Sequence, residues 1–281
     1  MSAARIIGLI ACLAACLVPA AAAASACSEG WICVEGEERA EGGTVDLVAR
    51  NLKPWPVTVT VAVEGDNLSV SPRREVTATL QGEDTRPLMT LGAQDPDRGW
   101  RYTYRYDWAV GSIGAQHEDD YAYALPFAPD ARWRILQGYG SRFSHTGLET
   151  WTIDFDMPVG SPVHAAREGI VVRVRSVHDQ SCWERGCGRY ANFIVVLHAD
   201  RTTGEYYHLR KDGVVVEPGE RVARGQLIGY SGNTGRSTMP HLHFGVNRAT
   251  SWGRTESVPV SFMTAGGTVR GLKPGRRYRH P

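Results

Sequence analysis

Residues 240–246 read Pro240-His241-Leu242-His243-Phe244-Gly245-Val246, polar and apolar side chains in alternation behind a proline. In an extended strand, residues two apart share a face. His241 and His243 therefore project together, while Leu242 and Phe244 pack behind them. Two imidazoles on one strand face can hold a divalent cation and act beside it. Upstream, three more residues offer the same chemistry: His145 in Ser-His-Thr-Gly, Asp154 in Ile-Asp-Phe-Asp-Met-Pro and His208 in Tyr-Tyr-His-Leu.

The period-two pattern recurs upstream. Strands are predicted at 170–177, 192–198, 205–209, 226–230 and 241–246, parted by turn signals at Glu217-Pro218-Gly219-Glu220 and Ser231-Gly232-Asn233-Thr234-Gly235. Nearer the N-terminus, Val57, Val59, Val61 and Val63 alternate with Thr58, Thr60, Ala62 and Glu64. Tyr102, Tyr104, Tyr106 and Trp108 alternate in the same way and read as one face of a core. No stretch of ten or more residues carries a helical period, so the chain is expected to be all-β. Residues 27–126 read as a small β-sandwich, immunoglobulin-like in architecture only. The two prolines of Leu125-Pro126-Phe127-Ala128-Pro129-Asp130 mark a boundary, and residues 130–265 read as a second, mainly β domain. Residues 266–281, with Arg270, Lys273, Arg276, Arg277 and Arg279, read as a solvated basic tail, attachment to an anionic polymer being the rival reading.

Charge is balanced, 31 Lys+Arg against 30 Asp+Glu in 281 residues, so no nucleic-acid partner is expected. Residues 1–26 read as a signal peptide: Arg5 starts it, residues 6–18 form its apolar centre, and Ala24-Ser25-Ala26 ends it. That centre is short for a bilayer span, and no later segment is long and apolar enough. The protein is thus expected to be exported, to the periplasm, the cell envelope or the outside. Leu13-Ala14-Ala15-Cys16 resembles a bacterial lipoprotein signal, so a lipid anchor on Cys16 or Cys27 is the second reading and cleavage before Cys27 the first. In an oxidising compartment, Cys27/Cys33 and Cys182/Cys187 read as two local disulfides, with pairing between the groups left open.

From 137 to 246 the chain resembles the M23 zinc metallopeptidases, the LytM/lysostaphin-type peptidoglycan endopeptidases. The resemblance rests on an ordered set: His145-Thr-Gly, Asp154-Phe-Asp-Met-Pro-Val-Gly-Ser-Pro-Val, Ala166-Arg-Glu-Gly-Ile-Val, Tyr206-Tyr-His208-Leu, Val222-Ala-Arg-Gly-Gln-Leu-Ile-Gly, Gly232-Asn-Thr-Gly and His241-Leu-His243-Phe. It implies an antiparallel β-sheet with a groove, one zinc ion per chain, and hydrolysis of peptides in bacterial cell wall. It also implies that His145, Asp154 and His243 hold the metal, while His208 and His241 act on the water and the reacting carbonyl. Two imidazoles and one carboxylate suit zinc, which keeps a further position open in catalytic sites. His241 is assigned as the base and His208 as the oxyanion stabiliser, an assignment that can be exchanged.

One departure affects the ligand set. The family places the carboxylate four residues after the first histidine, where this chain has Glu149; Asp154 stands nine residues on. Asp154 is preferred because its distance to Met157-Pro158 and Pro162-Val163 follows the family, with Glu149 second and Asp156 third. His164 and His198 fit no ligand slot and read as structural, and Asn192 as a residue satisfying backbone groups. The Cys182–Cys187 loop reads as a groove wall or a stapled surface hairpin. Two rival functions remain at this level: an inactive cell-wall-binding protein or hydrolase activator, and a zinc peptidase with a protein substrate.

Overall fold

A computed structural model describes residues 27–40 and 42–281, together with the backbone of Arg5–Ile6. Apart from that pair, the expected signal peptide and Cys16 lie outside the described residues. Among the described residues, helix is limited to two short 3-10 turns, Gly147–Glu149 and Cys187–Tyr190, and no helix is long and apolar enough to cross a membrane. The rest of the regular structure is β, as the period-two pattern requires. The chain divides into two compact units, Met1–Ile113 with Ala249–Arg254, and Gly114–Arg248 with Thr255–Pro281.

The first unit contains two antiparallel sheets. One runs Cys27–Ser28, Ile32–Glu38, Thr44–Asn51, Thr85–Ala93, Leu68–Ser71; in the other, Val57–Asp66 lies between Arg101–Val110 and Glu75–Leu80. Aromatic side chains tie them: Trp108 stacks on Trp31 with centroids 5.0 Å apart, and the Tyr104 hydroxyl donates to the Val34 carbonyl at 2.7 Å. The Val57–Asp66 strand departs from the half-buried pattern, because Thr58 and Thr60 are buried as well as the valines. Their hydroxyls stay satisfied, pairing with Thr79 and Thr77 at 2.8 and 2.9 Å. The Ala249–Arg254 segment adds a donor to this face, from Trp252 N to Thr60 Oγ1. A disulfide joins Cys27 and Cys33 across neighbouring strands.

The second unit is built on a nine-stranded sheet in the order Arg221–Val222, Gly169–Arg175, Phe193–Leu197, Thr203–Tyr207, Leu242–Ala249, Ile153–Phe155, Arg132–Gln137, Arg277–Arg279, with Thr255–Ser257 also on Leu242–Ala249. A smaller antiparallel sheet of Pro162–His164, Leu227–Ser231 and Leu209–Val214 accompanies it. Phe155, Phe244, Phe127 and Phe262 meet edge to face in the core beside Leu242, Ile153 and Tyr206, all of them at most 1% exposed. Removing that much apolar surface from water is the main stabilising contribution, about 2 kcal/mol for each such side chain.

Two boundaries differ from expectation. Residues 114–126, assigned from sequence to the sandwich, belong to the second unit: Tyr123 and Leu125 are buried in its core, and Ala122–Ala124 pairs in parallel with Ser261–Thr264. Residues 266–281 are not a trailing tail. Gly267–Arg270 pairs with Ser261–Thr264, and Arg277–Arg279 adds an edge strand to Arg132–Gln137 with Tyr278 turned toward the core. The arginines stay exposed on that edge, a placement that suits charge and blocks further pairing.

Candidate metal centre

The two central strands bring the site together. Asp154 lies directly across from His243 in the antiparallel register of Ile153–Phe155 with Leu242–Ala249, and Tyr207 lies across from His243 on the other side. Because Ile153, Phe155, Leu242 and Phe244 all turn into the core, Asp154 and His243 must share the opposite face. His241, just before the strand, bridges Gly232, and its ring centroid is 4.6 Å from that of His208. His145 arrives from the loop before the 3-10 turn and is fully buried.

The cluster is tight. Ligand atoms of His145, Asp154 and His243 all lie within 4.8 Å of one another. Asp154 Oδ1 is 2.9 Å from His243 Nδ1, 3.2 Å from His145 Nε2 and 3.8 Å from His241 Nε2. Backbone carbonyls can only accept, and they set the tautomers. Nδ1 of His145 donates to Gly138 O at 3.1 Å, that of His208 to Thr234 O at 2.7 Å, and that of His241 to Met239 O at 2.8 Å. Each of the three then keeps a lone pair on Nε2. For His145 that atom is buried with no hydrogen-bond partner and faces a carboxylate oxygen. Two electron pairs held that close in a buried site repel unless a cation lies between them. The donor set therefore fits a divalent metal, with His145, Asp154 and His243 converging on it.

The charges agree. Burial alone would raise the Asp154 carboxyl, yet the His145 and His243 imidazoles hold it well below the usual carboxylate range. Burial would lower His243, but Asp154 and Glu149 push it up to about 10, so a metal ion binding at Nδ1 must displace a proton that already supplies positive charge there. His208 is pushed down to about 3 by burial and the neighbouring His241 and His243 rings, and His241 is lowered by burial against the pull of Asp154. Both are therefore neutral near pH 7, which is what a proton acceptor needs. His208 is also held at φ 66°, a backbone region that costs a residue with a side chain about 1 kcal/mol or more.

The rival carboxylates take other positions. Glu149 reaches the other nitrogen of His243, 3.7 Å from Nε2, and is not in the converging triad. Asp156 turns away to Arg134 at 3.0 Å. The additional residues between His145 and Asp154 form the Gly147–Glu149 turn, whose Glu149 carbonyl takes the Thr152 hydroxyl at 2.8 Å. Gln137 was not singled out from sequence: its Nε2 donates to Asp154 Oδ2 at 2.6 Å. A polar residue ending a strand next to the site strand was the available signal, but it becomes meaningful only once Gln137 is paired with Asp154. His164 and His198 each bond a backbone carbonyl, Gly225 and Glu168, and Asn192 holds His178 and Leu209 backbone groups.

An all-β unit with three converging metal-ligand side chains beside two neutral imidazoles defines a metallohydrolase type of site. Residues 149–256 match Peptidase family M23, and the chain carries an M23 peptidase domain. It is 37% identical over 119 residues to peptidoglycan DD-endopeptidase ShyA of Vibrio cholerae serotype O1, covering 41% of this chain and 25% of that protein. It is 36% identical over 132 residues to glycyl-glycine endopeptidase ALE-1 of Staphylococcus capitis, covering 46% and 33%. The chain thus spans a quarter to a third of the length of these relatives. Among solved structures it is similar to the antimicrobial peptidase lysostaphin from Staphylococcus simulans, at 31% identity, 44% of this chain, 47% of that one and a TM-score of 0.33.

Proposed function

We propose that this protein is a zinc-dependent endopeptidase that hydrolyses peptide bonds of bacterial peptidoglycan outside the cytoplasm. The carrying observation is the convergence of His145, Asp154 and His243 beside the paired rings of His208 and His241. His145 Nε2, an Asp154 oxygen and His243 Nδ1 would hold the ion. When bound, zinc supplies Lewis acidity that polarises a scissile carbonyl and makes water a nucleophile near neutral pH. His241, oriented by Met239 O and Ser237, presents a free Nε2 toward the cluster and accepts the proton of the attacking water. His208, fixed by Thr234 O, faces the same space with a bare Nε2; only after taking up there the proton that His241 beside it has drawn from the water can it donate to the oxygen on which negative charge develops. Gln137 holds Asp154 in place from behind. The similarity to ShyA, a peptidoglycan DD-endopeptidase, supports the substrate class, and the signal-like residues 1–26 support export.

The test is mass analysis of material released from purified cell wall by zinc-loaded protein, with and without chelator. Peptide-bond products that vanish with chelator are expected. Wall binding with no released peptide would replace the enzyme by a binding protein, and cleavage of denatured protein but not wall would replace the substrate.

A further inference from the structure

Close in the chain to His145 and to the partners of His208 and His241 stands an aromatic and cationic group that neither ligation nor proton transfer uses. Phe143 is 63% exposed and Trp183 40% exposed, yet they stack on each other with centroids 5.0 Å apart and 18° between planes. The Arg236 guanidinium lies 4.5 Å from the centre of the Trp183 ring. Two large exposed aromatic side chains held together contribute little to a core and mark a contact surface.

All three are tied to the site. Phe143 is two residues before His145. Arg236 sits between Thr234, whose carbonyl takes the His208 proton, and Ser237, whose hydroxyl is 3.3 Å from His241 Nδ1. Trp183 belongs to the loop closed by the Cys182–Cys187 disulfide, and Ser181–Cys182 pairs in parallel with Gly235–Arg236. Gly235 makes that pairing possible: it has φ 82°, and a Cβ there would fall 2.6 Å from that of Ala191. Two residues of chain reach about 7 Å, so the Phe143 backbone lies within about two peptide units of that of His145.

Its charge is one-sided. Arg142, Arg185 and Arg236 are exposed, and none forms an ion pair among the described residues. Glu184, exposed in the same loop, forms none with them either. A guanidinium laid over an indole keeps its N–H edge free, the edge that binds a carboxylate in two parallel hydrogen bonds.

We propose that Phe143, Trp183 and Arg236 form a specificity-determining subsite, in which the aromatic pair supports the peptide chain and Arg236 binds a free carboxylate next to the scissile bond. The substrates favoured are acidic wall peptides whose carboxylates are not amidated. This rests on the hydrolase reading above.

Two substrates separate the possibilities: a cross-linked peptide dimer from unamidated peptidoglycan, and the same dimer with its free carboxylates converted to carboxamides. Zinc-loaded full chain should show kcat/KM about tenfold higher on the free acid, with the difference in KM. Arg236→Gln should bring that ratio to near one, and Arg236→Lys should keep part of it. A purely structural role would lower both rates together and leave the ratio near ten, which overturns the proposal, as does a ratio near one for the unaltered protein. Calorimetric titration of metal-free full chain with the same two peptides reads the subsite without catalysis. A tighter Kd for the free acid supports the subsite, and equal Kd values overturn it. Cleavage of neither dimer removes the hydrolase reading, and the two Kd values then decide the subsite alone.

Discussion

His145 donates a hydrogen bond from Nδ1 to Gly138 O and turns a bare Nε2 toward Asp154 Oδ1. The ligand set follows from such contacts, each of which one substitution can test. His243→Ala removes a donor from the triad, and the purified variant is expected to retain less than one tenth of a zinc equivalent after dialysis, against about one for the parent. Glu149 touches the opposite nitrogen of His243 and not the triad, so it orients a ligand without being one. Glu149→Gln should therefore weaken zinc affinity about tenfold in a chelator competition, the low end for such an outer contact because the 3.7 Å separation is long. Complete loss of binding would make Glu149 a ligand. The pair His241 and His243 was legible in the sequence because strand period is two. Asp154 was preferred to Glu149 on its distance to Met157-Pro158 and Pro162-Val163, but that it faces His243 is fixed by the strand register and not by spacing.

Elements matter where a strand or loop fixes a side chain that the local sequence leaves free. The Cys182–Cys187 bridge closes a short loop and holds Trp183 beside Arg236. Replacing both cysteines by serine should cost about 2 kcal/mol in the unfolding free energy, read from denaturant titration. A second element, the turn around Asp200, encloses His198, whose Nδ1 donates to Glu168 O while Nε2 is buried without a partner close to Gly204. Burial lowers the His198 pKa to about 4. The unfolded chain, with an ordinary value near 6.5, binds the proton more readily. The contribution is therefore present above pH 6.5 and is lost as pH falls through 4, about 3 kcal/mol in all. His198→Gln should flatten the fall in Tm between pH 6.5 and 4. An unchanged slope would show that the imidazole is protonated as easily in the folded chain. The Val57–Asp66 strand was legible as a strand, but the burial of its threonine face was not, because that depends on residues almost 200 positions away.

At the scale of the molecule, all five site residues, with Gln137 and Glu149, belong to the unit formed by Gly114–Arg248 and Thr255–Pro281. A fragment of residues 114–281 should accordingly bind one zinc per chain, as the full chain does, measured by metal analysis after gel filtration. A fragment ending near 265 should not fold, because it lacks the edge strand Arg277–Arg279 and the buried Leu272. Loss of cooperative thermal unfolding is the readout, and an unchanged Tm would show the C-terminal strands to be dispensable. The basic composition of that segment hid its role: Arg277-Tyr278-Arg279 is an alternation too short to stand out, and its partner strand lies more than 130 residues earlier. Pairing over such a distance leaves no local trace.

The chain of residues alone determined that the described part of this protein is mainly β, that a histidine pair shares one strand face, and that His145, Asp154 and His208 are available to join it. Those properties are local: alternation decides which face a side chain takes, and side-chain chemistry decides what it can bind. Only the tertiary structure decided which carboxylate meets His243, that Gln137 braces it, and that Phe143, Trp183 and Arg236 stand together. Each of these depends on antiparallel register between distant strands, and a register shift of one residue would turn Asp154 into the core.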